Sequence, residues 1–157
     1  MTVRDAPRPA AQRKADALVL LQTPGIDVWV ATAGTSEDGS AVAHLVPLSL
    51  AWIDERVVIA LDGQSTTARN LGPNRPARLG VGATRDVVLI DAVVEDVVAV
   101  GEAAELADRY RAQADWDPRS AGDGYVFIRL RPERLQAWRQ ANELVGRTLM
   151  RSGAWTV

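Results

Sequence analysis

The sequence contains no cysteine and only one histidine, His44. The lack of cysteine excludes disulfides, thiolate nucleophiles and cysteine-ligated metals. A single histidine argues against a histidine-based metal site and against a second histidine for acid–base catalysis, so we expect no metal. Hydrolases built on Ser–His or Cys–His pairs are disfavoured for the same reason. An oxidoreductase is not disfavoured by these absences, because its cofactor supplies the redox chemistry.

The sequence also lacks long apolar runs and an excess of positive charge. No run approaches the length of a membrane-spanning helix, and the segment MTVRDAPRPAAQRKADA has no apolar signal core. We therefore expect a soluble cytoplasmic protein. The net charge is −2, so we expect neither a nucleic-acid nor a membrane partner. Lys14 is the only lysine, and every other cationic side chain is an arginine.

The length of 157 residues suits a single domain with a full hydrophobic core. Hydrophobic residues make up 47% of the chain and charged residues 24%, which are values typical of globular proteins. Residues 1–9 hold two prolines and scattered charges, which predicts a flexible N-terminal arm. We expect residues 10–157 to form one domain that includes the C-terminal tail.

The spacing of apolar residues predicts many strands and a few short helices. Helices are expected at 10–22 and 102–114, and strands at 27–33, 41–53, 56–61, 78–82, 86–100 and from 125 past Pro132. Pro47 predicts an edge, a bulge or a ligand-facing position, and a bulge is expected near Glu95. Six or seven antiparallel strands in up-and-down order predict a small closed barrel, and hence a mainly β (α+β) fold.

Residues 61–82, LDGQSTTARNLGPNRPARLGVG, form the most informative segment. We interpret it as a strand end, a polar turn, one or two helical turns and a new strand. Ser65, Thr66 and Thr67 begin the helix, with Arg69 and Asn70 one turn later. Free backbone N–H groups, hydroxyls and a guanidinium are donors that suit a phosphate. The alternative is an ordinary Ser/Thr N-cap with a solvated arginine. The setting between two apolar strands favours the phosphate site.

The whole chain resembles the flavin-binding split-barrel family, typified by pyridoxamine 5'-phosphate oxidase and its actinobacterial flavin and deazaflavin relatives. The matching segments are a leading helix, DVWVATAG, AHLVPLSLAWIDERVVIAL, STTARNL, ARLGVGATRDVVLIDAVVE and YVFIRLRPERLQAWRQANELVGRTLM. The resemblance implies an antiparallel split barrel of six or seven strands. It also implies a homodimer that binds FMN at its subunit interface.

The resemblance further implies where the cofactor binds. In this family the strand corresponding to HLVPLS lines the isoalloxazine ring, and the next helix start holds the phosphate. By position, the ring would be lined by His44, Val46, Pro47 and Ser49, and the phosphate or ribityl end held by Ser65, Thr66, Thr67, Arg69 and Asn70. Many members place a lysine near this helix start, where Thr67-Ala68-Arg69 stands here. His44 is equally well interpreted as a strand histidine with its hydrogen bonds satisfied.

Two further residues complete the expected site. Arg85 is either paired locally with Asp86 or a cofactor or dimer contact. Exposed tryptophans near a terminus are costly unless covered, so Trp138 and Trp155 are expected at a partner-subunit surface or a pocket lip. We expect the tail to cross near the cofactor, with Trp155 over the ring. In the alternative, the tail packs outside the barrel. Trp29 and Trp52 are expected in the core.

These observations predict an FMN-dependent oxidoreductase that transfers hydride or electrons to a small organic substrate. The sequence does not identify the substrate, the electron donor or a catalytic residue. One alternative is the deazaflavin coenzyme F-420, whose acidic tail would bind a basic track of Arg69, Arg75, Arg78 and Arg85. A second alternative is a non-catalytic flavin or haem binder, with His44 as the haem ligand.

Overall fold

The computed structural model describes residues 5–157, so the first four residues of the predicted arm lie outside the described residues. Residues 5–9 have no regular secondary structure and lead into helix α1 (Ala10–Leu21), which confirms the predicted first helix. Within the described part of the chain, no helix is long and apolar enough to cross a membrane.

Across residues 5–157, nine antiparallel strands form one sheet, and this confirms the predicted mainly β fold with short flanking helices. The strands are β1 (Asp27–Thr35), β2 (Ala41–Ser49), β3 (Ala51–Ile53), β4 (Arg56–Asp62), β5 (Pro76–Ala83), β6 (Asp86–Ala99), β7 (Tyr125–Trp138), β8 (Thr148–Arg151) and β9 (Ala154–Trp155). Helix α2 (Thr66–Asn70) follows β4, and α3 (Ala104–Ala114) follows β6. Seven strands form the main path, and the tail adds the two short strands β8 and β9.

The strand order is β2-β1-β5-β6-β7-β4-β3, with β8 on β7 and β9 on β8. The predicted up-and-down order is therefore wrong at two places, because β4 pairs with β7 and β5 pairs with β1. The segment that contains α2 carries the chain from β4 to β5, which lies beside β1, so β4 and β5 are neighbours in sequence but not in the sheet.

A single residue joins the two edges of this sheet. Strand β2 lies at one edge and β3 at the other, and only Leu50 separates them in sequence. Leu50 is fully buried, and its N–H donates to the Ile26 carbonyl oxygen at 3.1 Å. Pro47 lies within β2, opposite Trp29 of β1. Proline cannot donate a backbone hydrogen bond and is tolerated here because β2 is an edge strand. The bend between the two edges thus falls at Leu50.

The apolar core has two parts. One fills the barrel and includes Val30, Leu79 and Ile90, which are fully buried. The other lies under α3, where Tyr110 packs on Phe127 with ring centroids 5.3 Å apart. The pairing of β6 with β7 shifts register between Val94 and Asp96, and this confirms the bulge predicted near Glu95.

Side chains of β1 and β2 that point away from the barrel core form an apolar surface, here called the outer face. Trp29 is 53% exposed on this face, so its prediction as a core residue is wrong. The strand alternates, and the buried positions go to Val28 and Val30. Trp52 is half-buried against the barrel core. The outer face comprises Trp29, Ala31 and Ala33 of β1 and Ala43, Leu45 and Pro47 of β2.

Candidate functional site

A cleft of about 480 Å³ lies where the end of β1, the start of β2 and helix α2 meet. We call it the α2 cleft. Its volume is within the range of sites that bind small ligands and cofactors. Its lining residues are Ala33, Gly34, Thr35, Val42, His44, Thr66, Arg69, Asn70 and Arg75.

Two side-chain hydrogen bonds attach α2 to the sheet. His44 Nε2 on β2 lies 3.2 Å from Thr67 Oγ1, and Asn70 Nδ2 donates to Thr32 Oγ1 on β1 at 3.1 Å. Thr32 and Thr67 are both buried. Each of these two strands is therefore linked to the helix by a polar contact to a buried hydroxyl, which helps to fix the position of the cleft walls.

Gly34 allows the Asn70 side chain of α2 to lie directly against β1. A Cβ atom at this position would be 2.7 Å from Asn70 Oδ1, closer than side chains pack in folded proteins. The missing side chain thus permits the contact between strand and helix. A glycine inside an apolar strand is a sequence signal for such a close approach, and it would have indicated this side of the cleft.

The start of α2 is an ordinary N-cap. Ser65 Oγ accepts a hydrogen bond from the Ala68 N–H at 3.2 Å, as the alternative interpretation predicted. The helix has only five residues, so its dipole is small. The charged side chains of the cleft are therefore its stronger groups for binding an anion.

The side chains of the α2 cleft carry uncompensated positive charge. None of the residues that line the cleft is acidic. Arg69 Nη2 lies 3.4 Å from Thr66 Oγ1, and within residues 5–157 neither Arg69 nor Arg75 forms an ion pair. Two guanidinium groups without carboxylate partners favour an anionic ligand, and their planar donors suit a phosphate.

Arg78 and Arg85 do not extend this positive charge. Arg78 Nε binds Asp91 Oδ1 at 2.6 Å, and this hydrogen bond raises the pKa of Arg78 and lowers that of Asp91. Arg85 is exposed in the turn between β5 and β6, at the opposite end of β5 from Arg75. Of the predicted basic track, only Arg69 and Arg75 line the cleft.

Of the four β2 residues predicted to face a ring, only His44 lines the cleft. Val46 packs against the barrel core, and Pro47 is exposed on the outer face. Ser49 is paired with Asp27 at the other end of β2, and its carbonyl oxygen accepts a hydrogen bond from Tyr110 Oη at 3.3 Å. Strand alternation therefore separates these residues onto two faces.

Trp155 lies away from the α2 cleft. Its ring is 4.8 Å from Lys14 Nζ, and its indole N–H points to Glu55 Oε1 at 3.5 Å. The C-terminal tail packs on the barrel of the same chain. Strand β8 pairs with β7, and both Leu149 and Met150 are buried. This placement agrees with the alternative in which the tail packs on the barrel.

A second cleft, of about 520 Å³, differs from the α2 cleft in its charges. It lies between α3 and strands β3, β4, β6 and β7, and each of its arginines has a carboxylate partner. These pairs are Arg56 with Glu95, Arg109 with Asp54 and Arg129 with Asp96. Such internal pairing leaves none of the arginines in this cleft free to bind an anionic ligand.

The sequence interpretation identified part of the α2 cleft. His44, Thr66, Arg69 and Asn70 line it, and Ser65 and Thr67 support α2 behind it. Arg75 was considered only for the acidic tail of coenzyme F-420. Thr35 and Val42 were missed because their place depends on the pairing of β1 with β2, and residue types alone do not reveal it.

Comparison with known proteins shows similarity in fold. No protein-family model and no curated protein matches the sequence. An F420 reductase structure aligns with TM-score 0.55 and 20% identity, over 74% of this chain and 92% of that one. A putative pyridoxamine 5'-phosphate oxidase from Listeria innocua aligns with TM-score 0.57 and 11% identity, over 81% and 98%. A heme-binding protein from Mycobacterium smegmatis aligns with TM-score 0.56 and 19% identity, over 93% and 59%. These similarities confirm the predicted resemblance at the level of the split-barrel fold.

Proposed function

We propose that this protein binds a flavin-type cofactor, with the cofactor's phosphate in the α2 cleft, and acts as an oxidoreductase. The observation that carries the proposal is the pair Arg69 and Arg75, which share a ligand-sized cleft with no acidic residue. Thr66 adds a hydroxyl donor to the same cleft. The similarity in fold to an F420 reductase and to a putative pyridoxamine 5'-phosphate oxidase supports the choice of cofactor class.

FMN is the preferred cofactor, and coenzyme F-420 is the alternative. An acidic tail would need an extended basic track, whereas a single phosphate needs few cations. Arg78 is neutralised by Asp91, and Arg85 lies at the other end of β5. The two arginines of the cleft match one phosphate better than a longer anion.

In this proposal the chain supplies binding and orientation. When bound, a flavin supplies hydride or electron transfer through its own ring, here to a small organic substrate. Arg69, Arg75 and Thr66 would hold the phosphate. His44 and Asn70 would fix α2 through Thr67 and Thr32. No residue is assigned to proton transfer.

The functional unit would be a homodimer. The outer face is apolar and exposed, with Leu45 58% exposed beside Trp29. Ala33 belongs both to the α2 cleft and to a groove of about 450 Å³ over β1, β5 and β6. A cofactor anchored in the cleft would therefore reach a surface that a second copy can cover, and such cover would keep water from the site.

Titration with FMN and with coenzyme F-420 tests the proposal. We expect FMN to bind, and Arg69→Ala to weaken that binding by about 1.5–3 kcal/mol, since a charged hydrogen bond is lost. Arg85→Ala is the matched control, because Arg85 is exposed outside the cleft. Unchanged affinity in Arg69→Ala would place the phosphate elsewhere, and failure of both cofactors to bind would refute the proposal. Tighter binding of coenzyme F-420 would favour the alternative.

A haem-binding protein is the second candidate, since His44 lies in the cleft and a heme-binding protein shares the fold. His44 Nε2 is already engaged with Thr67 Oγ1, so haem ligation through that atom would have to break this contact. The absorption spectrum separates the candidates. A Soret band that disappears in His44→Ala would favour haem, whereas two visible bands would favour flavin.

A further inference from the structure

His44 is the one titratable imidazole of the protein, and it lies in the wall of the α2 cleft. It is half-buried and shares the cleft with Arg69 and Arg75. Histidine is the side chain whose charge ordinarily changes between about pH 5 and 8. The arginines stay charged throughout that range. The charge of the cleft can therefore vary only through His44.

No acidic group in the cleft balances a charge on His44. On β1 the facing side chains are neutral, at Thr32 and Thr35, and α2 contributes Thr67 and Arg69. Three acidic side chains of neighbouring segments lie outside the cleft lining. Asp38 accepts from the hydroxyls of Ser36 and Ser40, Asp62 accepts from the Gln64 N–H at 2.9 Å, and Glu37 is exposed in the turn between β1 and β2. The remaining charged group is Arg75, which is also cationic.

We infer that anion binding in the α2 cleft is coupled to protonation of His44. The inference rests on the proposed function and names a regulation of the same site. An anion bound beside an imidazole favours the charged form of the ring. Binding an anion therefore promotes proton uptake by His44, and by linkage a lower pH tightens anion binding.

The contact between His44 and Thr67 allows this proton uptake. A neutral imidazole can accept the Thr67 hydroxyl proton at Nε2, whereas a protonated imidazole donates to the same oxygen. A hydroxyl serves in either role, so the link between β2 and α2 survives the change of charge. Protonation adds charge to the cleft without moving its wall.

Sulfate is the probe of choice, because its charge stays constant in this pH range whereas that of a phosphate ester does not. The His44 imidazole signals in a proton NMR spectrum need no assignment, since the protein has one histidine. We expect saturating sulfate to move the midpoint of the His44 titration upward by about 0.7 in pH, the equivalent of a coupling of about fivefold. Sulfate affinity should rise by the same factor from pH 8 to pH 5, in the range where histidine titrates, about pH 5–8.

His44→Gln is the matched variant, because an amide keeps a polar group near Thr67 but does not titrate. Its sulfate affinity should be independent of pH. An unmoved midpoint in the wild-type protein, or the same pH dependence in His44→Gln, would overturn the inference. FMN binding that weakens in Arg69→Ala would still support the proposed function in that case. If sulfate shifts the midpoint of the His44 titration but no flavin binds, the α2 cleft is an anion site and the flavin assignment is refuted.

Discussion

The Asn70 side chain of α2 packs against β1 at Gly34, where a methyl group is missing. Asn70 Oδ1 occupies the space that a Cβ atom would take, and the same amide holds Thr32. We expect Gly34→Ala to destabilise the protein by about 1–3 kcal/mol, as overpacking does. It should also weaken FMN binding, because the Asn70 side chain, which lines the α2 cleft, must move. Urea denaturation and FMN titration measure the two effects.

Gly101→Ala is the control for this prediction. A Cβ atom at Gly101 meets nothing within 4 Å, and the backbone there is not in the left-handed region. Its stability and FMN affinity should stay close to those of the wild type. If Gly34→Ala behaves like the control, the contact between α2 and β1 is looser than the structure indicates.

Glu143 is the most enclosed carboxylate among the described residues and joins the N-terminal segment to the chain after β7. Its side chain accepts hydrogen bonds from the Arg8 guanidinium at 2.7 and 2.8 Å and from the Arg139 N–H at 2.8 Å. The pKa of Glu143 is lowered to about 2. The largest cause is the hydrogen bond from the Arg8 guanidinium, and the backbone N–H groups of Arg8 and Arg139 add to it. Burial raises the pKa, but by less.

This low pKa predicts a stability that depends on pH. The pKa of Glu143 is depressed from its ordinary 4.5 to about 2 on folding, so its contribution is full above pH 4.5 and disappears as pH falls toward 2. We expect Glu143→Gln to lower the free energy of unfolding by roughly 3 kcal/mol at neutral pH, with a smaller difference in acid. Urea denaturation at several pH values measures it.

Glu37→Gln makes the same substitution at an exposed position in the turn between β1 and β2. It should leave stability almost unchanged at every pH. A difference between wild type and Glu143→Gln that does not narrow in acid would contradict the assigned pKa. In that case the loss would come from packing rather than from charge.

The C-terminal strands belong to the barrel, and we expect them to stabilise it. Thr156 N–H donates to the Leu149 carbonyl oxygen at 2.9 Å, and Trp155 pairs with Met150. Deleting residues 153–157 should lower the free energy of unfolding of the apo protein by about 1–2 kcal/mol through lost apolar burial. FMN affinity should not change, because none of these residues lines the α2 cleft. Thermal unfolding and FMN titration test both expectations.

The opposite result would restore the first prediction for the tail. If the deletion weakens FMN binding and leaves apo stability unchanged, Trp155 reaches a cofactor, which would require a partner subunit. Lys14→Met is a useful companion variant, because it removes the charge next to Trp155 and keeps an apolar stem. Its effect on stability should be smaller than that of the deletion.

Local elements were predictable from sequence because their signals are local. The strand that continues past Pro132, the bulge near Glu95 and the short helix after Ser65 all depend on neighbouring residue types. Strand order was not predictable in the same way. The pairing of β5 with β1 is a tertiary contact, and apolar alternation does not specify a partner.

The same distinction explains the candidate site. Arg69 and Asn70 follow from the polar turn before α2, whereas the neutralisation of Arg78 depends on the register that sets it opposite Asp91. Trp29 was misassigned because an aromatic residue in a Val-rich strand can face either side. Its exposure follows from the burial of Val28 and Val30.

At the scale of the whole molecule, the outer face predicts that two copies of the chain assemble. Large exposed apolar side chains on one face indicate an interaction surface. Trp29 lies there beside Gly80 and next to Pro47 in the pairing of β1 with β2. We expect sedimentation at micromolar concentration to give a homodimer, and Trp29→Glu to give a monomer because a buried unpaired charge is costly.

Val19→Glu is the matched control, because Val19 is 69% exposed but lies on α1 and not on the sheet. It should remain a dimer. A wild-type monomer that binds FMN would show that the cofactor site is complete in one chain. The exposed apolar side chains of the outer face would then not be explained by a homodimer.

The only lysine of the sequence is held at the end of the chain. Lys14 Nζ lies over the Trp155 ring and donates to the Val157 carbonyl oxygen at 2.6 Å. An acylating reagent needs a free amine lone pair and room to approach it, so the contact with Trp155 and Val157 should slow its reaction with Lys14. The rate of acylation at Lys14, measured by mass on the peptide that contains it, should therefore rise as β9 frays.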